Sequence, residues 1–242
     1  MRRTHLLMLS LVLVASVLFT LFPQIDLIVA RQFYGSAGEF PFAHNVYVRA
    51  IFDAITWLSR ITAVGLIIAI GIASIQPSGF WRSHRKDFVF VLLALALGPG
   101  LIVNSGLKDH WGRARPSHIT QFGGEKHFSP ALIPSDQCGR NCSFASGHIA
   151  AAFFPAVLAL IATRRRRLWL SIGFTAALLA ALGRMAGGSH FLSDGIFAVA
   201  IVWFTAAALH WLMFRHVAGE ARKQGEVSVA KRQQPTPLLR RS

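Results

Sequence analysis

Apolar residues run along this chain in long blocks rather than in strict alternation, and polar residues collect in the gaps between the blocks. Six blocks, about 5–22, 54–76, 88–107, 146–163, 168–186 and 195–214, approach the roughly 20 residues that a helix needs to cross a hydrocarbon layer about 30 Å thick. Inside such a layer every backbone N–H and C=O must be paired within the protein, and helices do this segment by segment. The pattern predicts an all-α fold, a six-span transmembrane helical bundle. Arg2 and Arg3 precede the first block as they would in a secretory leader, but no small-residue cleavage pattern follows before Phe22-Pro23, so a retained span is expected.

Composition agrees: 53% of the residues are hydrophobic, 14% are charged, and the mean hydropathy is +0.48. A formal net charge of +15 would point to nucleic acid in a soluble protein. Here the basic residues fall in alternate gaps: Arg2 and Arg3, then Arg82, Arg85 and Lys86, then Arg164 to Arg167, then the tail from Arg215 to Arg241. By the positive-inside rule these gaps are cytoplasmic, and no nucleic-acid partner is predicted. Residues 1–217 are read as one six-span domain and 218–242 as a disordered basic cytoplasmic tail.

The opposite face receives residues 23–53, the loop from Lys108 to Ala145 and the turn around 187–193. The first segment is too broken to span, and Phe22, Phe33, Tyr34, Phe40 and Phe42 are expected to anchor it at head-group depth. The Lys108–Ala145 loop is long, and its Trp111, Phe122, Phe128 and prolines indicate an ordered extracytoplasmic cap that carries function. It also holds Cys138 and Cys142, for which an oxidising compartment permits a disulfide. Two free thiols or half of a metal site are the alternatives, and no second ligand pair stands nearby.

Three polar groups interrupt the apolar pattern on that face. In KDHWGRARP, Lys108 and Arg115 are two helical turns apart and are expected to share a face before Pro116 ends the helix. In FASGHIAAAF, Ser146 is placed to cap the fourth span, Gly147 to leave backbone N–H groups approachable by an anion, and His148 to stand within reach. In GRMAGGSHFLSD, Arg184 ends the fifth span, and His190 and Asp194 share a face if they are helical, so that the carboxylate accepts the imidazole N–H. Three cations describe a phosphate site; two histidines and a carboxylate supply a nucleophile, its orienter and a proton donor.

These stretches resemble the three-part signature KxxxxxxRP, PSGH, SRxxxxxHxxxD of the type 2 phosphatidic acid phosphatase superfamily, metal-independent lipid phosphatases related to vanadium haloperoxidases. Lys108 to Pro116 fits the first part in full; ASGH lacks the proline at Ala145, and Gly183 replaces the serine of the third. The resemblance implies that His190 attacks phosphorus to form a phosphohistidine. Asp194 then orients it, and His148 protonates the leaving alkoxide before activating water. It also implies that Lys108, Arg115, Arg184, Ser146 and Gly147 bind the phosphate, with no cofactor and no metal. FPQIDLIVARQFY and PSDQCGRNCSFASGH are further similar to bacterial lipid A phosphatases. The implied protein sits in a bacterial inner membrane, its site facing the periplasm, and removes a monoester phosphate from an anionic phospholipid or glycolipid, lipid A at the 4′ or 1 position. The alternatives are undecaprenyl diphosphate or phosphatidylglycerophosphate as substrate, transfer of the phosphoryl group to another lipid, or a head-group-binding transporter or scaffold. Oligomeric state is not legible.

Overall fold

The computed structural model describes residues 2–232, with side-chain surroundings described from 3 to 214. It is helical, and the described residues form no strand, only an isolated bridge between Ile119 and Lys126. The main elements are α1 (Arg2–Leu21), α2 (Gln24–Arg31), α3 (Val46–Ile75), α4 (Arg85–His110), α5 (Gly147–Leu160), α6 (Arg166–Ala186) and α7 (Leu192–Arg232). Five of them, α1, α3, α4, α6 and α7, are long and apolar enough to cross a membrane.

The block expected at 146–163 forms the shorter α5, seven residues of α-helix followed by seven of 3-10 helix. Pro155 has no N–H to continue the α-helical ladder, and the chain tightens there. α5 is an interior element packed against α3, α4, α6 and α7, with Ile149, Ala150, Phe153, Ala156, Val157 and Leu160 buried. An element encased by other helices does not need the apolar length of one that faces lipid.

Within α4 the stretch Ala96–Leu107 is a π-helix containing Pro99. Asn104, a polar residue in an apolar block, has its place here: its Nδ2 donates to the Pro99 carbonyl at 2.7 Å. α3 begins eight residues earlier than its apolar block, capped by Asn45, whose Oδ1 accepts from the N–H groups of Tyr47 (3.0 Å) and Val48 (3.1 Å). Arg49 and Asp53 mask this helical extension in the hydropathy pattern, and the extension carries Phe52 to the site.

A large core built around Phe90, Val103, Phe153, Val202 and Trp203 fills the bundle. A second core lies under the Lys108–Ala145 loop and contains Ala30, Phe40, Ala114, Ile119, Phe122 and Phe191, with Phe33 and Tyr34 packed against it. This corrects the expected interfacial anchoring. Tyr34, Phe40 and Phe122 pack ring on ring at 5.2–5.5 Å because the loop returns over the segment, and of the five aromatics only Phe22 and Phe42 stay largely exposed. The backbone of α7 continues to Arg232. The expected tail begins at 218, so its side chains and residues 233–242 lie outside the described residues.

Candidate active site

The site is built where α4, α5 and α6 end or begin and the chain turns into α7. Lys108 sits in the last turn of α4, which stops at His110. Gly112 then takes φ +74°, and a Cβ there would lie 1.5 Å from the Ser135 carbonyl oxygen, so only glycine fits the reversal. Lys108 and Arg115 therefore do not share a helix face, as their spacing had led us to expect. Instead the short loop closed by the Cys138–Cys142 disulfide ties them together. The Cys142 N–H donates to the Lys108 carbonyl at 2.8 Å, and Arg115 Nη2 donates to the Asn141 carbonyl at 2.8 Å.

Ser146 also differs from expectation. Ser146 occupies the N-cap position of α5, fully buried, but its hydroxyl makes no capping bond. A Cβ on Gly147 would lie 2.2 Å from Asn104 Oδ1, so glycine here permits α4 and α5 to touch. His148 follows, its ring edge-on to Phe52 at 5.1 Å and its Nε2 3.5 Å from Thr56 Oγ1. The Arg184 guanidinium lies over the other side of the site, 4.9 Å from the same Phe52 ring. Lys108, Arg115, Arg184 and His190 all act electrostatically on His148, which places the predicted residues in one cluster.

His190 precedes the first turn of α7, which begins at Leu192, so it and Asp194 do not share a helix face. Asp194 instead folds back over the helix start: its Oδ2 accepts the Phe191 N–H at 2.8 Å and the Ser143 hydroxyl. His190 Nδ1 lies 2.7 Å from the Ser143 carbonyl oxygen and 3.6 Å from Asp194 Oδ2. A carbonyl only accepts, so Nδ1 carries the hydrogen and Nε2 keeps its lone pair. The carboxylate adds negative charge beside the ring rather than taking its hydrogen. Burial lowers the His190 pKa to about 4; the neighbouring Arg184 and Lys108 push the same way against Asp194. At neutral pH the imidazole is uncharged and nucleophilic.

Among the described residues six buried side-chain polar atoms have no hydrogen-bond partner, and four of them belong to site residues: Ser146 Oγ, His148 Nδ1, Arg184 Nε and His190 Nε2. Buried polar groups are nearly always paired. Four orphans gathered among three cations mark a place prepared for an anion. A cavity of about 130 Å³ reaches His148, Arg184, Gly183 and Ser189. A second, of about 510 Å³, reaches Lys108, Gly147, His148 and Asn104. His148 stands on the wall between them.

Sequence reasoning passed over Phe52, Thr56, Ser143, Asp26 and Arg113. Arg113 is wholly buried and bridges Asp26 at 2.8 Å and Asp194 at 2.5 Å. A signal was present: Asp26 is the lone acid of FPQIDLIVARQFY, and Arg113 lies inside KDHWGRARP.

Residues 88–218 match the PAP2 superfamily. A lipid A 4′-phosphatase of Francisella tularensis subsp. novicida (strain U112) is 34% identical over 225 residues, covering 89% of this chain and 98% of that protein. Lipid A 4′-phosphatases of Rhizobium leguminosarum and Rhizobium etli are 31% and 32% identical, each over 73% of this chain and over 82% and 74% of their own lengths. Among solved structures, a transmembrane PAP2-type phosphatidylglycerolphosphate phosphatase from Bacillus subtilis is similar with a TM-score of 0.48 and 20% identity, covering 89% of this chain and 96% of that one. With residues 88–218, more than half of the chain, matched and a relative 34% identical aligned along nearly its whole length, the chain belongs to the PAP2 superfamily.

Proposed function

We propose that the protein is a metal-independent membrane phosphatase that hydrolyses the 4′-phosphate monoester of lipid A through a phosphohistidine on His190. The observation that carries this reading is the gathering of unpaired, buried Ser146, His148, Arg184 and His190 atoms beside Lys108 and Arg115. Arg184, Lys108 and Arg115, with Ser146 Oγ and the N–H of Gly147, hold the phosphate oxygens as charge spreads over them. His190 Nε2 forms a bond to phosphorus while the bond from phosphorus to the ester oxygen breaks. His148, carrying a proton that the bound phosphate dianion favours, gives that proton to the departing alkoxide, is left as the neutral imidazole, and then takes one from water. The water oxygen attacks phosphorus, the P–N bond breaks, and inorganic phosphate leaves with His190 neutral again.

Two features support a lipid substrate. An apolar groove of about 680 Å³ runs between α3, α5 and α6 and shares Val48, Phe52 and Gly183 with the polar cavity, so acyl chains can lie in it while the phosphate lies against His148 and Arg184. The lipid A assignment rests on the three curated relatives. It does not rest on the loop aromatics. Trp111 donates to the Ala131 carbonyl, Phe122 lies in the second core, and Phe128 packs on Phe191, so all three support the fold.

The test is mass analysis of lipid A from cells with and without the gene. Loss of one phosphate, from the 4′ position and only when His190 is intact, is expected. Unchanged lipid A, with turnover of undecaprenyl diphosphate or phosphatidylglycerophosphate by the purified protein, would reassign the substrate.

Our reading also counts α5 as a sixth crossing, which places the site on the periplasmic face of a bacterial inner membrane. Cysteines introduced at Gly187 are then expected to react with an impermeant thiol reagent from outside and those at Arg165 not to, with Cys138 and Cys142 changed to Ser. The opposite labelling would put the site in the cytoplasm.

The disulfide loop holds both Lys108 and Arg115, so Cys138→Ser is expected to raise KM by about 3- to 10-fold with a smaller change in kcat, the mark of weakened ground-state phosphate binding. Unchanged KM would show that the two cations are placed without it.

A further inference from the structure

Asp26 belongs to a stretch that the phosphate chemistry leaves unused, yet it is 1% exposed and is joined to the nucleophile's neighbour through a single side chain. Arg113, 0% exposed, spends its donors on four groups. Nη1 donates to Asp194 Oδ1 at 2.5 Å and to Ser193 Oγ at 2.9 Å, Nη2 to Asp26 Oδ2 at 2.8 Å, and Nε to the Ser129 carbonyl at 2.9 Å. The guanidinium lies 4.3 Å over the Phe191 ring, the residue next to His190. Ser193 closes the arrangement by donating its N–H to Asp26 Oδ1 at 3.0 Å and its hydroxyl to Asp26 Oδ2 at 2.5 Å.

We propose that Asp26 and Arg113 are positioning residues for phosphoryl transfer: they fix the Asp194 carboxylate behind His190 and keep a net negative charge beside it. This rests on the role given to His190 above. Both Asp194 oxygens are committed, Oδ1 to Arg113 and Oδ2 to Ser143 and Phe191, so the carboxylate cannot rotate away from the imidazole. The charge follows from counting donors. Burial raises the Asp26 pKa against the pull of Arg113 and Ser193. Even so, both of its oxygens meet only donors, and a proton on Asp26 would leave the Ser193 hydroxyl hydrogen without an acceptor. The ionised carboxylate is the form that fits.

Two carboxylates then share one guanidinium. A lone Arg113–Asp194 pair would be neutral and would offer little to a ring acquiring positive charge as Nε2 bonds to phosphorus. Asp26 draws on the same guanidinium and leaves the trio at one net negative charge. An uncompensated buried charge costs the fold, and the positive charge that develops on His190 offsets that cost in the transition state and the intermediate.

The experiment uses the full-length protein in lipid nanodiscs as wild type, Asp26→Asn, Arg113→Lys and His190→Ala. Asp26→Asn is nearly isosteric; Arg113→Lys keeps the cation but cannot fork between two carboxylates. Relative to wild type, we expect kcat per folded protein to fall about 10- to 100-fold in the first two, the usual loss when the group orienting a functional histidine is removed, with KM within about threefold. ¹⁵N-histidine spectra supply a readout without substrate. His190 should be the Nδ1–H tautomer in the wild type, held by the Ser143 carbonyl, and in both variants its ring ¹⁵N shifts should move as the Asp194 charge beside the ring changes. Unchanged kcat in either folded variant overturns the proposal. So does activity lost only in proportion to the folded fraction with the His190 spectrum unmoved, because that is a purely structural role. If His190→Ala keeps wild-type turnover, the phosphohistidine reading fails instead, and the ring ¹⁵N shifts of His190 in the Asp26→Asn and Arg113→Lys variants still decide whether those two residues position the charge beside it.

Discussion

His190→Ala is expected to lower turnover by at least about 10³-fold while the protein still folds and inserts, the loss typical of removing a nucleophile. The side chain is fully buried, makes one hydrogen bond, to the Ser143 carbonyl, and leaves Nε2 unpaired toward the cations. Its loss removes the nucleophile but leaves Lys108, Arg115 and Arg184 in place. Inorganic phosphate, which stays tetrahedral, is therefore expected to bind the variant within about tenfold of its wild-type affinity, the behaviour of a group that acts in the transition state rather than in ground-state binding. Calorimetric titration checks the binding and phosphate release checks the rate. Turnover near wild type would remove His190 from the reaction.

His148→Ala is expected to cost about as much on a lipid phosphate, at least about 10³-fold, but for a different reason. An alkoxide leaves poorly without a proton, and in the proposed reaction that proton comes from His148, which lines a cavity together with Arg184. An aryl phosphate has a better leaving group and does not need that proton. The variant should release the phenol in a burst of one equivalent per site and then stall, because water still lacks its base. Rapid-mixing kinetics with an aryl phosphate separate the two steps. An equal loss in the burst phase would mean that His148 is not the acid.

Much of this architecture is legible in the pattern of apolar blocks, because a hydrocarbon layer imposes one length scale on every helix that crosses it facing lipid. α5 departs from it, as an interior helix that is not bound by that scale. The start of α3 is hidden because Arg49 and Asp53 depress hydropathy without disturbing the helix that Asn45 caps. At the site, the residue types and spacings of KDHWGRARP, ASGH and GRMAGGSHFLSD point to residues that the fold brings together. Their geometry is less legible. Lys108 and Arg115 meet through the turn at Gly112 and the disulfide loop, and Asp194 caps a helix start instead of taking the His190 hydrogen. Spacing speaks of geometry only within a regular element, and these residues lie where such elements end. Arg113 and Asp26 are harder still, since a buried charge is recognisable only from its partners, and Arg113 pairs with residues far away in the chain.

The central claim is that phosphorus passes through a bond to His190. The protein mixed with lipid phosphate, quenched in alkali within milliseconds and digested, should yield a phosphoryl group on the peptide that carries His190, at a level that rises and decays as fast as turnover. The same peptide from His190→Ala should carry none. A phosphoryl group on another side chain, or full turnover with no protein-bound phosphoryl at any time, would contradict the account.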